Sequence, residues 1–291
     1  MFYDMPLYRP PSEGDNLIIQ ATLGCSYNHC SFCSMYKSKR FTVRPLAEVF
    51  ADIDLAAAQW PDARRVFLAD GDAMTLPTAH LLAIADRLAS AFPELQRITA
   101  YATPASLLRK PPDELRQLRD NRLSLVYLGI ESGAPEVLHR IAKGASPDGM
   151  ARAIGQAQAA GIKVSATVIL GVGGRRLARQ HAEATARLIN RAPPNFLSTL
   201  QLRLHEDVAE RFLSRWDGAF EWQDDDGMLE EQQILLAGID PPRPVIFRSN
   251  HASNCVALAG TLPKDSPRLL AQVEQALHGQ GRRRPAGLRG M

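Results

Sequence analysis

Short runs of β-branched and apolar residues alternate along this chain with longer stretches in which apolar positions recur every three or four residues. The short runs, Leu17 to Thr22, Arg65 to Ala69, Arg97 to Thr103, Ser124 to Ile130, Lys163 to Leu170 and Leu197 to Leu204, predict six strands. Pro45 suits the first turn of a helix running to Trp60, with Leu46, Val49, Phe50 and Ile53 on one side. Leu81, Leu82, Ile84, Ala85 and Leu88 repeat that pattern, and further helices are predicted at Pro104 to Leu118, Pro135 to Ala159 and Leu177 to Ile189. Strand starts fall 27 to 48 residues apart, the spacing of right-handed βαβ crossovers that build a parallel sheet.

The expected fold class is therefore α/β, a partial (β/α)6 TIM-like barrel of parallel strands. Periodicity alone leaves a flat doubly wound sheet open. Beyond residue 204 the pattern turns mostly helical, at Val208 to Trp216, Leu229 to Leu236 and Pro267 to His278, with a short strand at Val245 to Arg248. This predicts an N-terminal extension over 1–16, a core over 17–204, a mostly helical cap over 205–278 and a basic tail over 279–291. In parallel α/β folds the loops at the carboxyl ends of the strands converge, and chemistry gathers there. Polar residues and glycines of this chain accumulate at those ends: a cysteine loop after the first strand, Asp70-Gly71-Asp72 after the second, Thr103 at the third, Glu131-Ser132-Gly133 at the fourth and Gly171 to Gly174 after the fifth.

With 291 residues and 45% hydrophobic composition, the chain has enough apolar material for a sizeable core. The most apolar stretch, Val164 to Gly174, is too short for the roughly 20 residues of a membrane span. The N-terminus lacks a basic region followed by an apolar core, so a cytoplasmic protein is expected. The net charge of +3 hints at an acidic partner, yet the tail holds Arg282, Arg283, Arg284 and Arg289 and no acid. Removing its +4 leaves the body at −1, so the basicity belongs to a tail read as disordered, solvent-exposed chain, ahead of an RNA-binding arm.

Four cysteines in such a chain argue against a disulfide framework. Cys25, Cys30 and Cys33 fall within nine residues, and Cys255 stands alone. Three soft thiolates on one loop suit zinc or an iron–sulfur cluster. Zinc would want a fourth ligand, from His29 or Cys255, whereas a four-iron cluster with three cysteines keeps one iron open for chemistry.

The loop Gly24-Cys25-Ser26-Tyr27-Asn28-His29-Cys30-Ser31-Phe32-Cys33 resembles the signature of the radical S-adenosylmethionine (radical SAM) superfamily, with Phe32 at its aromatic position. The family has three residues between its first two cysteines; four stand between Cys25 and Cys30 here. Asp70-Gly71-Asp72 stands where the family has a glycine and acidic motif that receives the amino group of SAM. The region Gly129 to Gly133, followed by Leu138, Arg140, Ile141, Lys143 and Gly144, resembles coproporphyrinogen oxidases, methylthiotransferases and the Elongator catalytic subunit. The segment Ile169 to Gly174 resembles the fifth-strand motif that lies along adenine. The resemblance spans residues 17–204 and implies a [4Fe-4S] cluster on Cys25, Cys30 and Cys33. It implies SAM contacts from Phe32, Asp70, Gly71, Asp72, Thr103, Glu131 (methionine or ribose), Ser132, Lys143 (carboxylate), Thr167, Leu170 and Gly171. It also implies reductive cleavage of SAM to methionine and a 5′-deoxyadenosyl radical, an electron donor such as a flavodoxin or ferredoxin, and a lid after residue 205 that shields the radical.

Asn250, His251 and Asn254, in a polar segment after the short strand, are candidate substrate contacts or a proton relay. A polar turn capping the next helix is the alternative. His29 is a candidate acid or base beside the cluster, or a brace for the loop. Lys37, Lys39, Arg40 and Arg44 offer either a docking patch for an acidic electron donor or a solvated face. With Cys255 the only cysteine left, a second all-cysteine cluster is not expected. With no cobalamin-binding length and no RNA-binding module in view, a small molecule or a peptide residue is the expected substrate, ahead of nucleic acid. Two other readings stay open: a haem or cofactor carrier that keeps the cluster and SAM without turnover, and a zinc-stabilised structural protein.

Overall fold

The computed structural model describes residues 3–217 and 220–290. It resolves into two compact units. The first comprises the chain up to Asn28 together with Cys33–Leu128 and Gly155–Val164; the second comprises His29–Phe32, Gly129–Ile154 and the chain from Ser165 onward.

In chain order the elements begin with β1 (Leu17–Gln20), β2 (Thr22–Leu23), β3 (Thr42–Val43), α1 (Leu46–Gln59), β4 (Arg65–Ala69), α2 (Thr78–Ala91), β5 (Arg97–Ala102), α3 (Pro104–Leu108), α4 (Pro112–Asp120) and β6 (Leu123–Glu131). They continue through α5 (Pro135–Arg140), α6 (Pro147–Ala159), β7 (Lys163–Leu170), α7 (Gly174–Arg191) and β8 (Phe196–Gln201). The chain then forms α8 (Glu206–Leu213), α9 (Asp225–Gly238), β9 (Val245–Ser249), β10 (Leu258–Leu262) and α10 (Ser266–Leu277).

Within the first unit β1 pairs with β4, β4 with β5 and β5 with β6, all parallel. Val66, Phe67, Leu68 and Ala69 of β4 are buried in succession, which is why this strand reads as an unbroken apolar run rather than an alternation. Helix α1 packs beside α2 and turns Val49, Ile53 and Ala56 inward. Its apolar spacing is the helical one, and Pro45, which has no N–H to satisfy, stands one position ahead of it as the N-cap.

Within the second unit β7 pairs with β8 and β8 with β9 in parallel, and β10 returns antiparallel to β9. All six predicted strands are present, β1, β4, β5, β6, β7 and β8. The segment predicted as a mostly helical cap carries α8, α9 and α10 but also supplies β9 and β10, and the antiparallel return through Leu258–Leu262 was not predicted. Its sequence, LAGTL, is too short and too glycine-interrupted to announce a strand by itself.

Two predicted helices are each divided in two. Pro104 to Leu118 breaks at Pro111-Pro112: Pro111 adopts an extended backbone (ψ 152°) and caps α4. Pro135 to Ala159 breaks between Arg140 and Pro147, where Ala142 and Gly144 take positive φ values of 51° and 66°. The segment after α10 is not bare chain: Arg284 donates to the carbonyls of His251, Ala252 and Asn254, and Arg289 pairs with both oxygens of Asp225. Among the described residues no helix is long and apolar enough to cross a membrane.

Candidate active site

In the first unit, β2 and β3 pair through Thr22 with Val43 and Leu23 with Thr42, closing the base of the segment that carries the cysteines. The next residue, Gly24, has φ 73°, a conformation that glycine adopts without steric cost. Its N–H donates to Asp70 Oδ2 at 3.0 Å, and its carbonyl accepts from the Gly71 N–H at 3.0 Å. This reciprocal pair ties the start of the cysteine loop to the loop after β4.

Asp70 is fully buried, and its carboxylate is spent on that tie. Oδ2 also accepts from Lys39 Nζ at 2.9 Å, and Oδ1 accepts from Gln20 at 3.3 Å. Lys39 is buried with it and reaches the Asp4 carbonyl. Arg44 is held by the Gln20 carbonyl and Asp52. Of the four cations considered for docking, Lys39 and Arg44 are thus engaged inside the fold.

Gly71 has a steric reason of its own. A Cβ there would stand 2.7 Å from Cys25 Cβ and 2.9 Å from the Tyr36 ring. Asp72 turns inward, accepting from Ser26 Oγ at 2.6 Å, Thr103 Oγ1 at 3.0 Å and the Thr103 N–H at 3.3 Å. Burial pushes its carboxyl pKa up, opposed by hydrogen bonds from Ser26, Ser106 and Thr103. Thr103 simultaneously caps α3, its hydroxyl accepting from the Ser106 N–H. Cys25, Asp70, Gly71, Asp72 and Thr103, separate in the sequence, therefore stand together. Sequence reading missed Ser26, Lys39 as a brace, and Tyr36.

In the second unit, Ser31 N–H donates to the Ile141 carbonyl at 2.9 Å, and Arg211 donates to the His29 carbonyl at 2.9 Å. The His29 residue itself is exposed, and Phe32 is half-buried. Glu131 and Lys143 form an ion pair of 2.9 Å with side chains only 9% and 12% exposed. Glu131 has a φ of 59°, uncommon for a residue with a side chain. A Cβ on Gly129 would overlap the Glu131 carboxylate and crowd Lys143, so glycine is what admits the pair.

Ser132, predicted as a SAM contact, accepts from the Ala134 N–H and bonds His181 Nδ1 at 2.7 Å. His181 Nε2 faces Glu231 Oε1 at 3.4 Å without closing a hydrogen bond. Glu231 Oε1 accepts from the Gly171 N–H at 2.8 Å, and Oε2 accepts from Gln223 at 2.5 Å. Burial pushes the Glu231 carboxyl up to about 8 and the His181 imidazole down to about 4, so both are neutral near pH 7. This chain of buried groups ends on the glycine turn after β7, where Gly171 has φ 79° and Met228 lies where a Cβ would go. Thr167 is half-buried on β7 itself. Nothing in the sequence singled out His181 or Glu231: each looks like an ordinary polar helix residue until its partners arrive from 49 and 60 positions away.

Asn254 is buried and saturated. It donates to the Thr199 carbonyl and Ser249 Oγ and accepts from the Gln201 N–H, stapling the ends of β8 and β9. It shares a small cavity with Leu170, Gln201, Met228 and Gln232. His251 Nδ1 accepts from the Ser253 N–H at 3.1 Å, leaving the proton of the neutral ring on Nε2. Burial and the nearby Arg284 charge lower its pKa. Asn250 is exposed. Cys255 is buried, with Sγ accepting from Gln201 at 3.2 Å.

The cysteines are in no disulfide. Among the described residues no three His, Cys, Asp or Glu side chains stand as a closed metal-binding group, so the loop carries its donors without a preformed ligand set. The donor set is nonetheless of the right chemistry, soft thiols on a loop locked to the next strand end. Near Cys25 the Tyr36 hydroxyl is buried with no hydrogen-bond partner among the described residues.

Parallel strands with acids, glycines and cysteines in the loops at their carboxyl ends define an α/β protein. The model of the radical SAM superfamily matches residues 19–189, and the chain belongs to that superfamily. No curated protein sequence matches it. Coproporphyrinogen III oxidase (HemN) from Escherichia coli, described as a radical SAM enzyme, is similar in structure with a TM-score of 0.57 at 15% identity, over 76% of this chain and 51% of that one. Methylornithine synthase (PylB) is similar with a TM-score of 0.53 at 14% identity, over 78% and 63%. The FeFe-hydrogenase maturase HydG from Carboxydothermus hydrogenoformans gives 0.50 at 18% identity, over 78% and 54%. These likenesses show the fold, the α/β partial-barrel class expected from strand spacing. The chain spans between about half and two thirds of the length of these structures.

Proposed function

We propose that this chain is a radical SAM enzyme in which Cys25, Cys30 and Cys33 hold a [4Fe-4S] cluster and SAM binds over the strand ends. A cluster bound there would supply the one-electron chemistry that cleaves SAM to methionine and a 5′-deoxyadenosyl radical, for hydrogen-atom abstraction from a small-molecule or peptide substrate. The observation that carries this reading is the Gly24–Asp70–Gly71 lock, which holds the cysteine loop against the strand end where the superfamily places its SAM amino-group motif.

The chain's own residues divide the work. Asp70 and Lys39 fix the loop. Asp72, already turned to Ser26 and Thr103, shapes the floor beneath the SAM amino group. Lys143 receives the SAM carboxylate, with Glu131 holding it and facing the methionine or ribose part. Gly171, Leu170 and Thr167 take the adenosine side, and Phe32 covers it. Ser132 acts through His181. Asn250 and His251 meet the substrate from the loop after β9, with Asn254 positioning that loop; His29 braces the cysteine loop. The reductant is a one-electron donor of the flavodoxin or ferredoxin kind.

Anaerobic reconstitution with iron and sulfide, followed by dithionite and SAM, tests the reading. Near four irons per chain with 5′-deoxyadenosine formed supports it. Zinc in place of iron, or a cluster that forms no 5′-deoxyadenosine with any candidate substrate, overturns it; those outcomes select a structural protein and a carrier respectively.

A further inference from the structure

Tyr36 lies three residues beyond the last cysteine of the loop, outside the motif that suggested the cluster. It is 3% exposed, and its hydroxyl is buried without a hydrogen-bond partner among the described residues. Such a group loses its water and gains nothing in return, a cost that a bound partner would remove. The ring is firmly held. Tyr8 packs on it edge to face at 5.4 Å between centroids, Lys39 Nζ stands 5.9 Å from its centroid, and its backbone carbonyl accepts from Asn28 at 2.8 Å. One edge of the ring lies toward the start of the cysteine loop: the point that lies 2.7 Å from Cys25 Cβ lies 2.9 Å from Tyr36 Cε2 and 3.0 Å from Cδ2. Burial, with Tyr101 and Asp70 adding to it, raises the phenol pKa, and a phenol keeps its proton near pH 7 even at its ordinary value, so the hydroxyl is a donor.

We propose that the Tyr36 hydroxyl donates a hydrogen bond to a sulfur of the cluster held by Cys25, Cys30 and Cys33, and thereby sets its reduction potential. The inference rests on the cluster reading above. Reduction adds one negative charge to the cluster, and its sulfurs then accept a hydrogen bond more strongly. A donor at that position stabilises the reduced state more than the oxidised one and raises the potential, a positioning role exercised through the metal's surroundings.

The test is Tyr36→Phe, which removes one oxygen and keeps the ring. Redox titration of the reconstituted protein, followed by EPR, is expected to show the variant's cluster harder to reduce by about tenfold in the reduction equilibrium, about 59 mV for a one-electron couple. Thermal melting supplies a second readout. In the cluster-free protein Y36F is expected to melt above the wild type, because it removes an unpaired buried donor, and loading the cluster is expected to erase that advantage. Equal potentials in the two loaded proteins overturn the inference, as does a melting advantage that loading leaves intact. A folded variant that holds no iron also overturns it, because the loss then lies in capture rather than potential. A wild type that assembles no cluster overturns the function reading as well, which tells the two failures apart.

Discussion

Glu231 Oε1 accepts the backbone N–H of Gly171 at 2.8 Å, with the side chain wholly shielded from solvent. A carboxyl on α9 thereby holds the glycine turn at the end of β7, the turn we propose for the adenosine side of SAM.

This contact has a pH signature. The folded carboxyl is pushed up to about 8, above its ordinary value of 4.5. Its contribution to stability is full below about pH 4.5 and is lost as pH rises through about 8, because the folded state keeps a proton that the unfolded chain has released. His181, pushed down to about 4, has the opposite sign: its contribution is present above about 6.5 and is lost as pH falls through about 4. Glu231→Gln is expected to flatten the alkaline side by a few kcal/mol and leave the acid side in place. Urea melts at pH 5, 7 and 9 decide this, and an unchanged alkaline slope counts against it.

The Asp70–Lys39 pair is buried at both ends. Asp70→Ala leaves an ammonium without its counter-charge and is expected to cost about 3–5 kcal/mol, whereas the double change with Lys39→Met should cost clearly less. Denaturant unfolding of both single variants and the double variant measures the difference. A double variant as unstable as the sum of the singles refutes the coupling.

Gly71→Ala forces a Cβ to within 2.7 Å of Cys25 Cβ. Iron content after reconstitution is expected to fall severalfold while far-UV circular dichroism stays native, since the clash touches the loop rather than the strands. Alanine variants of Cys25, Cys30 or Cys33 should lose the cluster outright. Cys255→Ser, which changes a thiol bonded to Gln201, should retain it. Wild-type iron in any of the first four, or its loss in the last, contradicts the assignment.

Arg284 reaches the loop of His251 from the basic segment after α10 and helps to depress that imidazole. Arg284→Ala is expected to raise the His251 pKa toward 6.5, read by NMR titration of the ring protons. If the pKa stays put, the arginine braces the loop without setting its charge. The same contacts bear on removal of residues 279–291, which takes away three carbonyl partners' donor and the Arg289–Asp225 pair.

Six strands, most of the helices and the order of polar strand ends were legible in the residues, because each depends on local periodicity that neighbours do not overturn. The misreadings are local too. Pro111 and the positive-φ residues Ala142 and Gly144 interrupt runs read as single helices, and β10 acquires its ladder hydrogen bonds from β9. The site divides the same way. Cys25, Asp72 and Lys143 could be picked from motifs, whereas Ser26, His181 and Glu231 could not, since a single serine, histidine or glutamate carries no pattern.

What the sequence determined by itself is the inventory: three thiols on one loop, glycines and acids at successive strand ends, and a spacing that makes the strands parallel. What only the tertiary structure decided is the duty of each group. Asp70, expected as a SAM contact, also anchors the cysteine loop because Lys39, Gln20 and Gly24 close on it, and burial leaves the Tyr36 hydroxyl without a partner among the described residues. Burial and partners from distant segments set desolvation and hydrogen bonding, and those energies depend on neighbours that no local stretch of sequence specifies.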